Sequence, residues 1–133
     1  MQKRILFVDD DHRFREVVLA FLQGRGLEVV QAASAQEAEW ELQIGHFDLL
    51  IIDGQLPDFD GVTLIKKIRE KGNQTPVIFV SGAWKDTESY RLLAEELKVA
   101  RILHKPVPPA AMADHIETLL GASLISAKEE KIR

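Results

Sequence analysis

The stretch ILFVDDD, residues 5–11, joins a short run of branched apolar side chains to three consecutive carboxylates. Three further apolar runs end in the same way at reactive side chains: LLIID at 49–53, VIFVS at 77–81, and ILHK at 102–105. Short apolar runs with polar ends are typical of strands that are buried on both faces of a parallel sheet. Since ligands bind beyond the carboxyl ends of such strands, we expect these side chains to meet at one edge. Several carboxylates, a hydroxyl and an ammonium at one edge predict a site for a phosphate and a metal ion.

The 133 residues fit a single domain, because a chain of this length supports one hydrophobic core. The formal net charge of −4 and the lack of a basic stripe argue against nucleic-acid binding. No apolar run is long enough to cross a membrane, and the first residues lack the apolar stretch of a secretion signal. The absence of cysteine excludes disulfides and thiolate metal sites. We therefore expect a cytoplasmic protein that does not act at a membrane.

Helical patterns alternate with the strands along the chain. The predicted strands are residues 5–8, residues 28–30, a third that ends at Asp53, a fourth introduced by Pro76, and residues 101–104. Apolar side chains at helical spacing predict five helices. These carry, in order, Phe14, Val17, Val18, Phe21 and Leu22; Ala38 and Leu42; Leu64, Ile65 and Ile68; Tyr90, Leu93, Ala94 and Leu97, after a start near Asp86; and, after Pro108, Met112, Ile116, Leu119 and Leu120. We expect Asp11 to cap the first helix, and Ser34 with Glu37 to form a capping box on the second.

Five strand–helix repeats with short links predict an α/β fold. The expected architecture is a (βα)5 doubly wound parallel sheet of five strands in the flavodoxin-like order 2-1-3-4-5. The switch point of that order lies between strands one and three, which end at Asp10 and Asp53. We expect residues 1–121 to form the domain. Residues 122–133 become polar, and they either extend the last helix or begin a linker.

Four segments at predicted strand ends resemble the receiver domain of two-component response regulators, the CheY-like domain. They are VDDD at 8–11, DGQLPDFDG at 53–61, FVSGA at 79–83 and HKPV at 104–107. The four occur in the family's order, and the resemblance covers roughly residues 3–121. It implies a signalling domain, not an enzyme in its own right, that a histidine kinase or phosphotransfer protein phosphorylates. It also implies a switch of the face made by helix four, strand five and helix five, which acts on an output domain, a partner protein or a second copy.

The resemblance also implies a role for each matching residue. Asp53 is the expected phosphoryl acceptor, and Mg²⁺ is expected on Asp9, Asp10, Asp53 and the main-chain carbonyl of Gln55. The remaining expected roles are phosphoryl contact for Ser81 and Lys105, shaping of the acceptor loop for Pro57 and Gly61, and a cis bond between Lys105 and Pro106.

The chemistry of these residue types suits phosphoryl transfer. Crowded carboxylates repel one another and favour a bound cation, and Mg²⁺ prefers oxygen ligands. A carboxylate with an ordinary pKa of about 4 stays ionised at neutral pH and needs no general base to act as a nucleophile. A lysine ammonium can offset the charge that develops on the phosphoryl oxygens.

Some positions depart from the family pattern or lie outside the expected site. Ile102 stands where many receivers have Tyr or Phe as a rotamer switch, so we expect the coupling to the hydroxyl to be weakened or rerouted. Trp40 and Ile44 fall opposite the inward side of the second helix, and with Trp84 they are candidates for a partner surface. The alternative for Trp40 and Ile44 is that neighbouring side chains cover them.

The residues alone leave other structural and functional interpretations open. The three consecutive aspartates could form a helix-capping acidic turn, and Asp58 and Asp60 are expected to be loop and cap residues. A hydrolase of the haloacid-dehalogenase kind also uses an Asp nucleophile and Mg²⁺. It has a second Asp as general acid where this chain has Gln55, whose amide cannot supply a proton. A pseudo-receiver that binds partners without phosphorylation is the other alternative.

Overall fold

The computed structural model describes residues 2–82 and 87–121. Five parallel strands form one sheet in the order β2-β1-β3-β4-β5, which confirms the predicted α/β architecture. The strands are β1 (Lys3–Val8), β2 (Leu27–Ala32), β3 (Leu49–Asp53), β4 (Val77–Ser81) and β5 (Arg101–His104). The helices are α1 (His12–Leu22), α2 (Ala35–Ile44), α3 (Gly61–Glu70), α4 (Thr87–Arg91), which continues as a π-helical stretch (Leu92–Glu96), and α5 (Pro109–Leu120). Among the described residues, no helix has the length and apolar character needed to cross a bilayer.

The central strands are buried throughout, and their register aligns the ends that carry the polar residues. Every residue of β3 and β4 is buried, as expected for strands covered on both faces. Val8 at the end of β1 pairs with Ile52, so Asp9 follows β1 beside the position where Asp53 ends β3. Ser81, the last residue of β4, pairs with His104, the last residue of β5. The register therefore places the reactive residues at one edge of the sheet.

The hydrophobic core forms two layers, one on each face of the sheet. One layer packs strand residues against α2, α3 and the helical segment that follows β4, through side chains such as Ala38, Leu64 and Leu93. The other layer packs the alternate strand residues against α1 and α5, through side chains such as Val18 and Ile116. Alternation along each strand produces this division, because successive side chains point to opposite faces.

The predicted helix caps are confirmed. The Asp11 carboxylate accepts a hydrogen bond from the Phe14 backbone N–H at 3.0 Å and begins α1. The Ser34 hydroxyl accepts from the Glu37 N–H at 3.1 Å, and the Glu37 carboxylate accepts from the Ala33 N–H at 2.6 Å. These bonds satisfy N–H groups that have no partner within the helix.

The predicted apolar stripe of α1 is partly wrong. Val18 and Leu22 are buried, but Val17 and Phe21 are exposed, and Arg15 is buried in their place with 7% of its surface accessible. Positions 15, 18 and 22 share one helical face, and that face packs on the sheet. A guanidinium can lie there because the Arg15 side chain donates to the main-chain carbonyl of Asp9 and to the Gln31 side chain.

The helix after β4 also differs from the expected regular helix. Its α-helical part begins at Thr87, and Asp86, where we expected the start, lies outside the described residues. Leu93 and Leu97 are buried as the spacing predicts, whereas Ala94 is exposed. The Leu97 N–H donates to the Leu92 carbonyl at 2.9 Å, a bond across five residues that widens the helix.

Candidate functional site

Three carboxylates converge at the carboxyl ends of β1 and β3. Asp9, Asp10 and Asp53 each offer an oxygen, and these oxygens all lie within 4.8 Å of one another. Asp9 and Asp53 are buried, each with only 1% of its surface accessible, while Asp10 is exposed. Two buried acids and one exposed acid at this spacing form a cluster that could hold a metal ion. Of residues 9–11, Asp11 caps α1, while Asp9 and Asp10 belong to the carboxylate cluster.

Lys105 reaches this cluster from the loop after β5. Its Nζ atom lies 2.7 Å from Oδ2 of the buried Asp53 and forms an ion pair with it. The Lys105 backbone N–H donates to the Ser81 carbonyl at 2.8 Å and so extends the pairing of β4 with β5. The Lys105–Pro106 peptide bond is cis, as the resemblance implied.

The backbone holds both buried carboxylates in fixed orientations. Oδ1 of Asp53 accepts from the Gln55 N–H at 3.0 Å, which leaves Oδ2 for Lys105. Oδ1 of Asp9 accepts from the Asp11 N–H at 2.8 Å. Each of these acids thus has one oxygen held by a main-chain N–H two residues later. Such pairing lowers the cost of burying a charge and fixes the remaining oxygen.

Burial and mutual repulsion shift the ionisation of this cluster. Burial raises the pKa of Asp9 to about 6, although the hydrogen bond from the Asp11 backbone opposes the shift, and the Asp53 charge adds to it. Partial burial lowers the pKa of Lys105, but the hydrogen bond and charge of Asp53 outweigh this, so its pKa is raised. Lys105 is therefore a cation at neutral pH, and the site carries more negative than positive charge.

The loop of residues 54–60, which follows the expected acceptor Asp53 and is called the acceptor loop, folds back tightly on the end of β3. The Gly61 N–H donates to the Gly54 carbonyl at 3.0 Å. A Cβ atom at Gly61 would lie 2.3 Å from the Asp53 carbonyl oxygen, and one at Gly54 would lie 2.9 Å from the Phe79 ring. The backbone contact therefore requires glycine at position 61, whereas a side chain at position 54 would have to displace the Phe79 ring. Pro57, in the same loop, is exposed.

The other acids of the loop contact helix starts and lie apart from the carboxylate cluster. Asp60 caps α3 by accepting from the Thr63 N–H at 2.8 Å. The Asp58 carboxylate accepts from the N–H groups of Ala35 and Gln36, both at 2.9 Å, at the start of α2. The expectation that Asp58 and Asp60 are loop and cap residues is confirmed.

The expected switch residues Ser81 and Ile102 lie on the strands β4 and β5. Ser81 is buried at the end of β4. Ile102 is half-buried and packs against the core layer that includes α3. The next side chain on the same face of β5 is His104, and the Tyr90 hydroxyl lies 3.1 Å from its Nδ1 atom. A ring contact between the last residue of β5 and α4 thus adjoins Ser81.

Arg15 is the site residue that sequence reasoning missed. It is a charged residue on a helix, so its charge predicts an outward position. The structure buries its guanidinium beneath the end of β1, where it binds the Asp9 carbonyl. The available signal was its periodicity with Val18 and Leu22, which is the true buried stripe.

The candidate partner residues Trp40 and Ile44 lie on α2. Trp40 is 61% exposed and Ile44 is 63% exposed, so within the described residues no neighbouring side chains cover them. The alternative that they are covered is therefore wrong for this part of the chain. Trp84 and Ala83 lie outside the described residues.

Comparison with known proteins assigns the chain to a family. A family model described as the response regulator receiver domain matches residues 5–117. The chain belongs to this family. The receiver is 28% identical to a CheY-like receiver domain protein from Methanospirillum hungatei JF-1, with a TM-score of 0.78 over 98% of this chain and 99% of that chain. It is 26% identical to the chemotaxis response regulator CheY4 of Vibrio cholerae, with a TM-score of 0.76 over 90% of this chain and 99% of that chain.

Curated relatives are longer proteins. The receiver is 27% identical to the alkaline phosphatase synthesis transcriptional regulatory protein PhoP of Bacillus subtilis, over 100% of this chain and 55% of that protein. It is 29% identical to the transcriptional regulatory protein SrrA of Staphylococcus aureus, over 98% of this chain and 53% of that protein. The chain thus spans about half the length of these relatives. The expected resemblance, and with it a signalling domain of two-component systems, is confirmed.

Proposed function

We propose that this receiver accepts a phosphoryl group on Asp53 from a histidine kinase or a phosphotransfer protein. The observation that carries the proposal is the contact of 2.7 Å between Lys105 Nζ and Oδ2 of the buried Asp53, beside two further carboxylates. A nucleophile for this reaction must be ionised and oriented. The Gln55 N–H holds one Asp53 oxygen, and the other points to the ammonium.

The transfer step follows from these contacts. An oxygen of the Asp53 carboxylate forms a bond to the phosphorus atom, while the bond from phosphorus to the donor imidazole nitrogen breaks and its electron pair returns to that nitrogen. Lys105 moves from the carboxylate to a phosphoryl oxygen and offsets the charge there. Positioning and electrostatic stabilisation of this kind account for most of the catalysis of phosphoryl transfer. The product is an aspartyl phosphate.

The acid cluster fits a magnesium ion. Asp9, Asp10, Asp53 and the main-chain carbonyl of Gln55 would hold Mg²⁺, which prefers oxygen ligands and offsets the charge on phosphoryl oxygens when bound. The chain prepares this site by orienting Asp9 through the Asp11 N–H and by fixing the end of β1 through Arg15. Burial raises the pKa of Asp9 and the charge of Asp53 adds to the shift, and a bound cation that offsets this negative charge is consistent with both.

The signal would leave the site through Ser81 and β5. A phosphoryl group on Asp53 offers new acceptor oxygens, and the Ser81 hydroxyl can donate to one of them. Because β5 pairs with β4 at Ser81 and His104, a shift of Ser81 would act on the face made by α4, β5 and α5. Ile102 supplies no hydroxyl or ring to this coupling, so the contact between Tyr90 and His104 is its aromatic element. The controlled partner is an output domain, another protein or a second copy.

The test is intact-mass measurement after incubation with acetyl phosphate and Mg²⁺. We expect the wild-type chain to gain the mass of one phosphoryl group and Asp53→Asn to gain none. Asp60→Asn is the matched control, since it removes a carboxylate from the same loop but lies at a helix cap, and it should be labelled like the wild type. Labelling of Asp53→Asn to the wild-type extent would refute the assignment of the acceptor. A folded wild type that stays unlabelled at saturating reagent would favour the pseudo-receiver alternative.

A further inference from the structure

Trp40 and Ile44 form the most exposed large apolar pair in the described residues. Both lie on α2, and their spacing of four residues places them side by side on one face. The other face of α2 packs on the core through Ala35, Ala38 and the half-buried Leu42. The fold therefore holds this pair outward on a regular, capped helix, and contiguous exposed apolar side chains of this kind mark contact surfaces.

Polar side chains border this pair differently on its two sides. With 3.6 residues per turn, and measured from the midpoint between Trp40 and Ile44, Glu37 and Glu41 lie about 40° and 80° around the helix on one side. Gln36 and Gln43 lie about 60° and 80° around it on the other side. The exposed face is thus an apolar ridge with one acidic border and one neutral border. We call this set, Gln36, Glu37, Trp40, Glu41, Gln43 and Ile44, the α2 face.

The charges of α2 determine which partner can cover this face. The helix sequence AQEAEWELQI has three glutamates and neither lysine nor arginine. The glutamate that points toward α3, Glu39, already faces Lys67 at 3.4 Å. A second copy docked through the same face would bring glutamate against glutamate, with no cation on the face to pair with them. Like charges brought together at an interface oppose association.

A helix with lysine or arginine beside its own apolar stripe meets both requirements of the α2 face. Its apolar side chains would cover Trp40 and Ile44, in the way that amphipathic helices bind an apolar surface. Its cations would lie against Glu37 and Glu41. Tryptophan is also the residue type most often found to dominate binding energy. We propose that the α2 face docks a basic amphipathic helix of a partner protein.

The test uses Trp40 as its own reporter. The chain has two tryptophans, so Trp84→Phe leaves Trp40 as the single indole. The probe is a synthetic helical peptide of leucine and lysine, about 18 residues or five turns long, and its counterpart has glutamate in place of lysine. We expect the leucine–lysine peptide to shift the Trp40 emission to shorter wavelength and to saturate at one peptide per chain. The glutamate peptide should cause no shift.

Two variants, each made in the Trp84→Phe protein, test whether the peptide binds at the α2 face. Ile44→Lys, which removes an apolar contact, and Glu37→Gln/Glu41→Gln, which removes the paired charges, should each weaken binding at least about tenfold, or about 1.4 kcal/mol. Glutamine at position 37 keeps an acceptor for the capping box. The matched controls are Phe21→Lys on α1 and Glu70→Gln/Glu96→Gln, which alter another exposed apolar residue and two other exposed glutamates. These should bind as the parent does, and circular dichroism confirms that each variant is folded.

Three results would overturn the proposal: equal weakening in the controls and the α2 variants, binding of the glutamate peptide, or dimers in sedimentation that Ile44→Lys abolishes. The titration contains no phosphoryl donor and no metal ion. Its outcome is therefore independent of whether Asp53 is phosphorylated, and either proposal can fail alone.

Discussion

Replacing Asp9 by asparagine should stabilise the metal-free receiver at neutral pH. Burial raises the pKa of Asp9 from 3.8 to about 6, so the folded state binds this proton more tightly than the unfolded state. The stabilisation from the protonated carboxyl is complete below the unfolded pKa and is lost as the pH rises through about 6. The difference between a pKa of 3.8 in the unfolded state and about 6 in the folded state corresponds to at most about 3 kcal/mol. Asparagine cannot ionise, and its amide oxygen can still accept from the Asp11 N–H.

We expect Asp9→Asn to raise the free energy of unfolding by about 1–3 kcal/mol at about pH 7.5, and by little at about pH 4. The range allows for the share of the shift that comes from the neighbouring Asp53 charge. The assay is urea denaturation of both proteins at the two pH values, in the presence of a chelator. Asp10→Asn, which removes an exposed carboxylate of the same cluster, is the control and should change stability by less than about 1 kcal/mol.

Equal stability of Asp9→Asn and wild type at the higher pH would refute the reasoning, and so would a gain that is the same at both pH values. Adding Mg²⁺ at the higher pH supplies a second comparison. We expect the cation to stabilise the wild type more than the variant, because a ligand stabilises the folded state that binds it.

Three further outcomes can be measured by denaturation or mass spectrometry. Gly61→Ala should lower the free energy of unfolding by about 2 kcal/mol or more, because its Cβ would collide with the Asp53 carbonyl oxygen. The control is Gly82→Ala, whose Cβ meets nothing closer than 3.8 Å, and it should lower the free energy of unfolding by less than about 1 kcal/mol. Similar losses in the two variants would contradict this. Asp58→Ala should lower the free energy of unfolding by about 1 kcal/mol near neutral pH. The difference between variant and wild type should shrink as the pH falls, because backbone hydrogen bonds lower the pKa of Asp58 and protonation removes the stabilisation that they give. An unchanged difference in acid would count against that cause. Lys105→Met should slow phosphorylation by acetyl phosphate at least about tenfold in a time course of intact mass, and a wild-type rate would remove its proposed role.

The fold was predictable because its signals are local and repeat along the chain. The polar ends of the strands at Asp53 and Ser81, the capping box at Ser34, and the alternation of strands with helices all lie in short windows of sequence. The convergence of the carboxylates was predictable for a related reason, since the strand order brings the ends of β1 and β3 together.

The positions whose burial or packing was not predicted are side chains whose environment is set by distant parts of the chain. Phe21 is apolar and periodic, but the rotation of α1 on the sheet leaves it exposed, while Arg15 is buried because a carbonyl at the end of β1 satisfies its guanidinium. Gly54 gave no sequence signal for close packing, and the constraint on it comes from the ring of Phe79 on the neighbouring strand. Tertiary contacts of this kind do not appear in the periodicity of a single segment.

The carboxylate of Asp58 connects the acceptor loop to the start of α2 through hydrogen bonds. It accepts the N–H groups of two successive residues, Ala35 and Gln36, so the loop cannot slide without carrying the helix or abandoning both bonds. A rearrangement of the backbone after Asp53 would therefore reach the N-terminal end of α2, the helix that carries Trp40. By thermodynamic reciprocity, a partner bound to that helix would change the free energy of the proposed phosphorylation at Asp53 by the same amount as phosphorylation changes the free energy of partner binding.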